Sequence, residues 1–144
     1  MAMRLSTGFR NKWLGATSGA GSYQTLFTNC FLRLYSGSQP ASADAAETGT
    51  LLITFVDLNW DDAASGVISK AAAETWTANG VADGTAGWGR FYAYGSSGGA
   101  STTEIRWDFA CGTSGTILIM SSTTIAIGAP ETIDTFTFTV PASI

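Results

Sequence analysis

The sequence predicts an all-β protein: an antiparallel β-sandwich of the jelly-roll or Greek-key kind, preceded by a short N-terminal helical or extended arm. Of the 144 residues, 45% are hydrophobic, 12% aromatic and only 12% charged, so the chain has enough apolar residues for a folded core. Roughly eight or nine short strand-like runs follow residue 30, separated by Gly, Pro, Ser, Asn and Asp. No alternation of helix-like and strand-like segments indicates a parallel α/β fold.

Residues 1–22 are expected to form an arm, and residues 23–144 the β-sandwich domain. In the arm, Leu5, Phe9 and Trp13 recur at four-residue steps, which is a helical spacing. Gly15 is placed to end this helix, and residues 15–22 have the composition of a flexible linker. We expect the arm to become ordered on a partner. Its expected partner-binding residues are Arg4, Leu5, Phe9, Arg10, Lys12 and Trp13.

The strands of the domain are predicted from alternating apolar residues and from the turns between them. The predicted strands cover residues 30–35, 50–57, 67–69, 75–78, 87–94, 104–111, 117–120, 124–127 and 132–140. The connections 36–49 and 95–102 are too long for minimal hairpins, so we expect them to cross between the two sheets.

One predicted strand carries an aromatic face, formed by Trp88, Arg90, Tyr92 and Tyr94. Three interpretations remain open for it. The first interpretation is a second buried face of the sheet. The second is a protein interface, since Trp, Tyr and Arg are enriched at such interfaces. The third is a sugar-binding surface, on which the aromatic rings would stack. As a partner-binding surface, it would present all four side chains to solvent.

The residue inventory argues against catalysis. The sequence contains no His, which excludes Ser-His-Asp and Cys-His triads within this chain. Cys30 and Cys111 alone cannot form a four-ligand zinc site, and their apolar surroundings predict buried free thiols. Free thiols fit assembly in a reducing cytoplasm. We therefore expect no enzymatic activity, no cofactor and no bound metal.

Two further features resemble functional motifs only superficially. Asp57, Asp61 and Asp62 lack the alternating register and the final Glu of a calcium-binding EF-hand loop, so a surface loop is predicted. Residues 95–99 (GSSGG) lack the Lys and the following helix of a phosphate-binding P-loop, so a turn is predicted.

Glu104 and Asp108 are the one pair of acids that a single strand would place on the same face. Four residues of a strand span ~13 Å, which exceeds the separation of the two carboxylates in a glycosidase. We expect these acids to form ion pairs with Arg106 or Arg90 across neighbouring strands instead.

Charge is unevenly distributed along the chain. Residues 1–43 contain four basic and no acidic residues, whereas residues 44–144 contain three basic residues and all 11 acidic ones. An acidic domain argues against nucleic-acid binding. No apolar run reaches the roughly 20 residues that span a bilayer, and no apolar segment of the signal-peptide kind follows the N-terminal charges. We therefore expect neither a membrane partner nor secretion.

Several segments resemble a family of small virion-associated proteins of tailed bacteriophages. These segments are residues 3–8 (MRLSTG), 32–52 (LRLYSGSQPASADAAETGTLL), 87–88 (GW) with 90–91 (RF), 98–103 (GGASTT), 112–115 (GTSG) and 133–141 (IDTFTFTVP). The resemblance spans nearly the whole chain, and its motifs are turns and strands rather than an active site.

The resemblance implies a structural role in a virion, and decoration of the capsid is the role we expect. Such a cement protein would be made in the cytoplasm of the bacterial host and would bind the outside of the capsid. Its partners would be the major capsid protein and neighbouring copies of itself, as a homo-dimer or homo-trimer. The alternatives are a tail, neck or baseplate component and a carbohydrate-binding adhesion module that uses Trp88, Tyr92 and Tyr94.

Overall fold

The computed structural model describes residues 3–16 and 18–142. The other positions, 1, 2, 17, 143 and 144, belong to the predicted arm and domain and lie outside this description. Within the described residues, strands greatly outnumber helices, and the predicted antiparallel β-sandwich is confirmed. In chain order, the elements are β1 (Arg4–Leu5), α1 (Thr7–Leu14), α2 (Tyr23–Leu26), β2 (Cys30–Ser36), β3 (Leu51–Leu58), β4 (Val67–Ser69), β5 (Trp76–Asn79), β6 (Gly84–Tyr92), β7 (Arg106–Gly112), β8 (Leu118–Ile119), β9 (Thr124–Ile125), β10 (Pro130–Ile133) and β11 (Thr137–Thr139).

The first layer of the sandwich is a large sheet in the order β1-β7-β6-β2-β3, whose neighbours are all antiparallel. Strand β8 adds to β7 in parallel, and β9 adds to the start of β6. The second layer consists of two antiparallel ladders, β5 with β10 and β4 with β11. Neither described helix is long and apolar enough to cross a membrane.

An aromatic core joins the two layers. Phe91 and Trp107 of the large sheet meet Phe136 and Phe138 of the second layer, with ring centroids 5.1 Å apart in both the Phe91–Phe136 and the Trp107–Phe138 pair. The alternation of strand side chains puts every second residue of β6 and β7 on this inner face. Aromatic rings of this kind each bury about 150–250 Å² and dominate the stability of a core.

The N-terminal segment is part of the domain, which corrects the prediction of a separate arm. Strand β1 pairs with β7, and Phe9 of α1 is fully buried in the core. Ser6 caps the start of α1 by accepting a hydrogen bond from the Phe9 amide, and Gly15 ends the helix with a left-handed φ of 105°. The physical reason is the apolar stripe that predicted the helix, since the protein's own core covers it.

The two long connections are also placed differently from the prediction. Residues 37–50 join β2 to β3, and residues 93–105 join β6 to β7, and each pair of strands is adjacent in the same sheet. The expected crossings between sheets are therefore wrong. Both connections fold back over the outer face of the large sheet, where Arg90 donates to the carbonyl oxygen of Ala45 and Arg106 to that of Ala43. Buried guanidinium groups need such acceptors, and the loops supply them.

The predicted C-terminal strand, residues 132–140, is two strands in the structure. Strand β10 pairs with β5, and β11 pairs with β4. The break lies between Ile133 and Phe136, which both point into the core. Residues three apart cannot share a face of one continuous strand, so the chain must bend there.

Candidate functional site

We call the outer side of the large sheet, over which the two connections fold, the covered face. It carries an unusual row of charged residues. Pairing registers place Arg33, Arg90, Asp108 and Arg4 opposite one another on β2, β6, β7 and β1. Directly opposite side chains on a sheet are near neighbours, so three arginines and one aspartate lie side by side. Because like charges repel at this spacing, the row requires further acceptors, and residues 37–50 provide them for Arg4 and Arg90.

Arg90 and Asp108 form the centre of the covered face. The guanidinium is bidentate: Nε lies 2.5 Å from Oδ1 and Nη2 lies 2.9 Å from Oδ2 of Asp108. Neither side chain is accessible to solvent. This is one of the ion pairs predicted across neighbouring strands, and it is confirmed. A buried charge pair of this geometry is strong only if its remaining donors are also satisfied.

Glu47, from the first connection, satisfies a third nitrogen of Arg90 and ties both loops to the sheet. Its Oε1 lies 3.3 Å from Arg90 Nη1 and accepts a 2.6 Å hydrogen bond from the Tyr92 hydroxyl. Its Oε2 accepts a 2.9 Å hydrogen bond from the amide of Gly99 in the second connection. One carboxylate therefore links β6, residues 37–50 and residues 93–105.

Arg106 completes this cluster through backbone carbonyls alone. Its guanidinium donates to the carbonyl oxygens of Ala43 at 2.7 Å and Asp44 at 3.1 Å in the first connection. It also reaches the carbonyls of Ser97 and Ser101 in the second, at 3.4 and 3.5 Å. We refer to Glu47, Arg90, Tyr92, Arg106 and Asp108 as the charged cluster.

Aromatic rings border the charged cluster. Tyr35 stacks on Trp88 with centroids 4.6 Å apart, and its hydroxyl lies 2.7 Å from that of Tyr92. Trp88 Nε1 donates to the carbonyl of Thr48 at 3.2 Å, which attaches the end of the first connection. The tyrosine hydroxyls and the tryptophan Nε1 are therefore all hydrogen-bonded, while the rings of the same side chains pack on the covered face.

The electrostatics of the charged cluster differ between its groups: burial raises the pKa of Asp108 and lowers the pKa of Arg106, whereas the other three groups are shifted further into one protonation state. Burial raises the pKa of Glu47, but hydrogen bonds from Tyr92 and Gly99 and the charge of Arg90 outweigh it, so the pKa lies below its ordinary value. Burial and the neighbouring Glu47 raise the pKa of the Tyr92 hydroxyl, which stays a donor. Burial lowers the pKa of Arg90, but the bonds and charge of Asp108 raise it overall.

These shifts indicate a structural network. A general acid or base needs a pKa close to the working pH and a path to a substrate. Glu47 and Arg90 are instead shifted further into their charged forms, and the Tyr92 hydroxyl into its neutral form. The arrangement can hold two long loops rigidly on a sheet, and its buried members lie out of reach of a ligand.

The predicted aromatic face is mostly buried, which corrects its assignment as a partner-binding surface. Trp88, Arg90 and Tyr92 are completely inaccessible, whereas Tyr94, beyond the end of β6, is 78% exposed. Of the three interpretations, a second buried face describes the first three residues. Trp88 and Tyr92 therefore present no exposed ring on which a sugar could stack.

The apolar residues predicted to anchor the arm on a partner contact the protein's own core. Phe9 is fully buried, and Leu5 and Trp13 are partly buried against the core. Trp13 stacks on Phe9 at 5.3 Å and meets Phe138 edge-on at 5.8 Å. Phe9 is consequently unavailable to a partner, while one side of Trp13 remains open.

The basic residues predicted to bind a partner have three different environments. Arg4 donates to the carbonyl of Pro40 at 2.7 Å and thereby helps to hold the first connection. Lys12 donates to the carbonyl of Ser18, close to its own helix. Arg10 is exposed, and its guanidinium donates to the hydroxyl of Thr7. Of the three, Arg10 is the most open to an external partner.

An apolar groove lies beside the open side of Trp13. Its volume is about 240 Å³, and its lining residues are Trp13, Ser22, Tyr23, Gln24, Ala63, Gly66, Ile68, Phe138 and Val140. The groove lies where α1 and α2 meet the β4–β11 ladder. Concave, mostly apolar surfaces with a few polar groups are the usual places for a ligand or a partner side chain.

The predicted surface loop of acids borders this groove. Asp61 Oδ2 accepts a hydrogen bond from the amide of Ala72, and Asp62 Oδ1 accepts one from Gln24 Nε2. Both aspartates are exposed, as is Asp57. Within residues 3–16 and 18–142, no group of three potential ligands is close enough to hold a metal ion.

Sequence reasoning missed Glu47 and Asp44 as members of the site. Asp44 accepts hydrogen bonds from the amide and hydroxyl of Thr7 at 2.7 and 2.6 Å, so it links α1 to the first connection. Both acids lie in a run of small polar residues with no periodicity that could assign them to a face. The available signal was Arg90 within an apolar strand, because a buried arginine requires nearby acceptors.

Three separate segments of the chain meet at this site. Residues 32–52 supply the first connection, residues 98–103 lie in the second, and residues 90–91 lie on β6. No protein-family model, no curated protein and no solved structure matches this chain, so its function has to be argued from its own residues.

Proposed function

We propose that this protein is a non-catalytic structural component of a tailed-phage virion, bound to the outside of the capsid as a decoration protein that stabilises the shell. The carrying observation is the charged cluster, in which Glu47, Arg90 and Asp108 are used to hold loops rather than to face a pocket. A rigid β-domain without an accessible reactive group suits a cement function. The resemblance of its loop and strand segments to virion proteins supports the same role.

The surface charge supports binding to a basic or neutral partner. Asp57, Asp61, Asp62, Asp83 and Asp134 are exposed, whereas most of the basic residues are partly or fully buried. Complementary charge speeds association and selects the partner. In this proposal the partner is the major capsid protein, and neighbouring copies of the decoration protein complete the lattice.

The stabilisation would arise from binding only the assembled shell. A protein that binds the closed shell but not its separated subunits shifts the equilibrium toward the shell by mass action. Because a capsid repeats the same site many times, modest affinity at each site is sufficient for high occupancy when neighbouring copies also touch.

The attachment mechanism differs from the arm that the sequence predicted. Since Phe9 is part of the core and Ser6 is hydrogen-bonded to Glu104, residues 3–16 cannot leave the domain without unfolding part of it. The proposed contact surface is therefore a folded one. It includes Tyr94 and the exposed aspartates Asp83 and Asp134, which are open to solvent.

Purified particles provide the test. Quantitative mass spectrometry should find this protein in a copy number that matches the capsomers of the shell, and an averaged cryo-EM map should place it on the outer surface. Particles assembled without it should release DNA at a lower temperature, and adding the purified protein should restore their stability.

Two results would contradict the decoration role. A small fixed copy number with density at the tail, neck or baseplate would support the alternative structural role there. Absence of the protein from purified particles would exclude a virion function altogether.

A further inference from the structure

Leu14 is a large apolar side chain with nothing to cover it. It is the last residue of α1 and is 87% exposed, more than any other large apolar side chain among the described residues. A single exposed leucine is common on protein surfaces, so the case for a partner rests on the groove and the charges described next.

A cavity of matching character lies directly beside it. The groove is walled by Trp13, the residue before Leu14, and its apolar surface comes from Tyr23, Ile68, Phe138 and Val140. Its volume is about 240 Å³. Since an apolar cavity of about 150 Å³ holds benzene, the groove has room for a leucine side chain. Leu14 does not fill the groove of its own chain, because its side chain is open to solvent.

The positions of Leu14 and the groove suit a two-fold dimer. In such a dimer the same surface of both copies meets, so a projection and a cavity that lie close together are each used twice. An axis between Leu14 and the groove would place the leucine of each copy in the groove of the other.

Charge favours a second copy as the occupant. Arg10 lies one helical turn before Leu14 and is the only basic residue that is exposed rather than partly or fully buried in the described part of the chain. Asp62 stands at the rim of the groove, bonded to Gln24 and followed by Ala63, both of which line it. Every ion pair within the described residues involves Arg90, so Arg10 and Asp62 have no charged partner there.

We propose that two copies of this chain associate through α1, with Leu14 of each copy in the groove of the other and Arg10 facing Asp62 across the interface. The dimer does not depend on the capsid role, because it forms in solution from the isolated protein. It would give the decoration protein two copies of its contact surface for a lattice.

Sedimentation velocity over a range of concentrations tests the apolar contact. The wild-type protein should dimerise, and Leu14→Ser should raise the dimer dissociation constant by at least about tenfold, since an apolar anchor at the centre of an interface dominates its affinity. Ile127→Ser is the matched control, because Ile127 is 66% exposed and does not line the groove. Its dimerisation should equal that of the wild type.

A charge exchange tests the orientation. Arg10→Asp and Asp62→Arg should each weaken the dimer, and the double variant should recover most of the affinity, because it restores an attractive pair. Higher salt should weaken the wild-type dimer. Circular dichroism and thermal unfolding establish that each exposed substitution leaves the fold intact.

A monomeric wild-type protein at its highest soluble concentration would overturn the proposal, and so would a dimer that Leu14→Ser or the charge exchange leaves unchanged. A monomer that still binds particles would contradict the dimer and support the decoration role. A dimer that is absent from particles would support the dimer interface and contradict the decoration role.

Discussion

The Arg90–Asp108 pair is held entirely away from solvent. Removing two charges from water is costly, and the pair repays this cost only because its geometry is bidentate and Glu47 and Ala45 take the remaining nitrogen. The free energy of unfolding should therefore fall far more when one partner is replaced than when both are replaced by apolar residues.

Asp108→Ala should lower the free energy of unfolding by about 3–5 kcal/mol, because it leaves Arg90 charged and unpaired in the interior. Urea denaturation followed by tryptophan fluorescence measures the change. The double variant Arg90→Met with Asp108→Leu should be clearly more stable than Asp108→Ala. Asp134→Ala, at an exposed position, should behave like the wild type. Equal loss in the single and double variants would contradict the stated role of the pair.

Glu47 makes stability dependent on pH in a defined direction. Its pKa is lower in the folded protein than the ordinary value of 4.5, so its contribution is present above that value and is lost as the pH falls through the folded pKa. The destabilisation caused by Glu47→Gln should therefore be largest near neutral pH and shrink below pH 4.5. Denaturation curves of both proteins across this range would reveal it, and a pH-independent difference would refute it.

Cys30 and Cys111 were predicted to be buried free thiols, and both are. Burial raises the pKa of each to about 12, so the reactive thiolate is scarce at pH 8. Ellman's reagent should leave both thiols of the native protein unmodified and react rapidly with both after unfolding in guanidinium. Rapid reaction of the native protein at pH 8 would show that one of them becomes exposed without global unfolding.

Pattern reasoning predicted which strand residues share a face but not what covers them. The alternation of β6 and β7 correctly separated Phe91 and Trp107 from Arg90 and Asp108. It could not show that Arg90 is buried, because the covering comes from Glu47, 43 residues away in the chain. Contacts at that separation leave no periodic signal in the sequence.

At the scale of elements, helix α1 depends on a glycine that helix propensity alone would disfavour. A Cβ atom on Gly8 would overlap the carbonyl oxygens of Thr103 and Glu104, so the glycine allows α1 to lie directly on the second connection. Removing residues 1–22 would also remove Phe9 from the core, and the remaining chain should not fold stably.

Gly8→Ala should destabilise the protein although alanine favours helices by about 1 kcal/mol relative to glycine. The overlap with backbone atoms should cost about 1–3 kcal/mol more than this gain. Asn11→Ala, at an exposed position of the same helix, should be neutral or slightly stabilising and serves as the control. Thermal unfolding compares the two variants, and a stabilising Gly8→Ala would show that α1 does not need this close approach.

Most strands were predictable as elements, while their connections were not. Strands β2, β3, β4 and β5 agree with the predicted runs to within two residues. The division of the C-terminal run escaped the prediction because residues 135–139 alternate without interruption. The three-residue spacing from Ile133 to Phe136 was the available sign of a bend.

At the scale of the whole molecule, the charged residues have two separate uses. Arg90 and Arg106 are completely buried beneath the loops together with Asp108, whereas the other aspartates except the half-buried Asp44 are exposed. The uneven charge along the sequence therefore does not produce a basic arm on an acidic body. Its structural result is an acidic exterior around a basic layer, which length and composition alone could not reveal.

The closure of the sheet by β1 has a consequence for biosynthesis. Ser6 bonds to residues 98 and 100 positions later, Glu104 and Arg106, so strand β1 has no partner in the sheet until β7 has left the ribosome. Until then the large sheet lacks its β1–β7 edge, and a nascent chain interrupted before β7 cannot complete this sheet. Completion of the sheet is thereby deferred until β7 has been synthesised, and products that end before β7 become targets for chaperones and proteases.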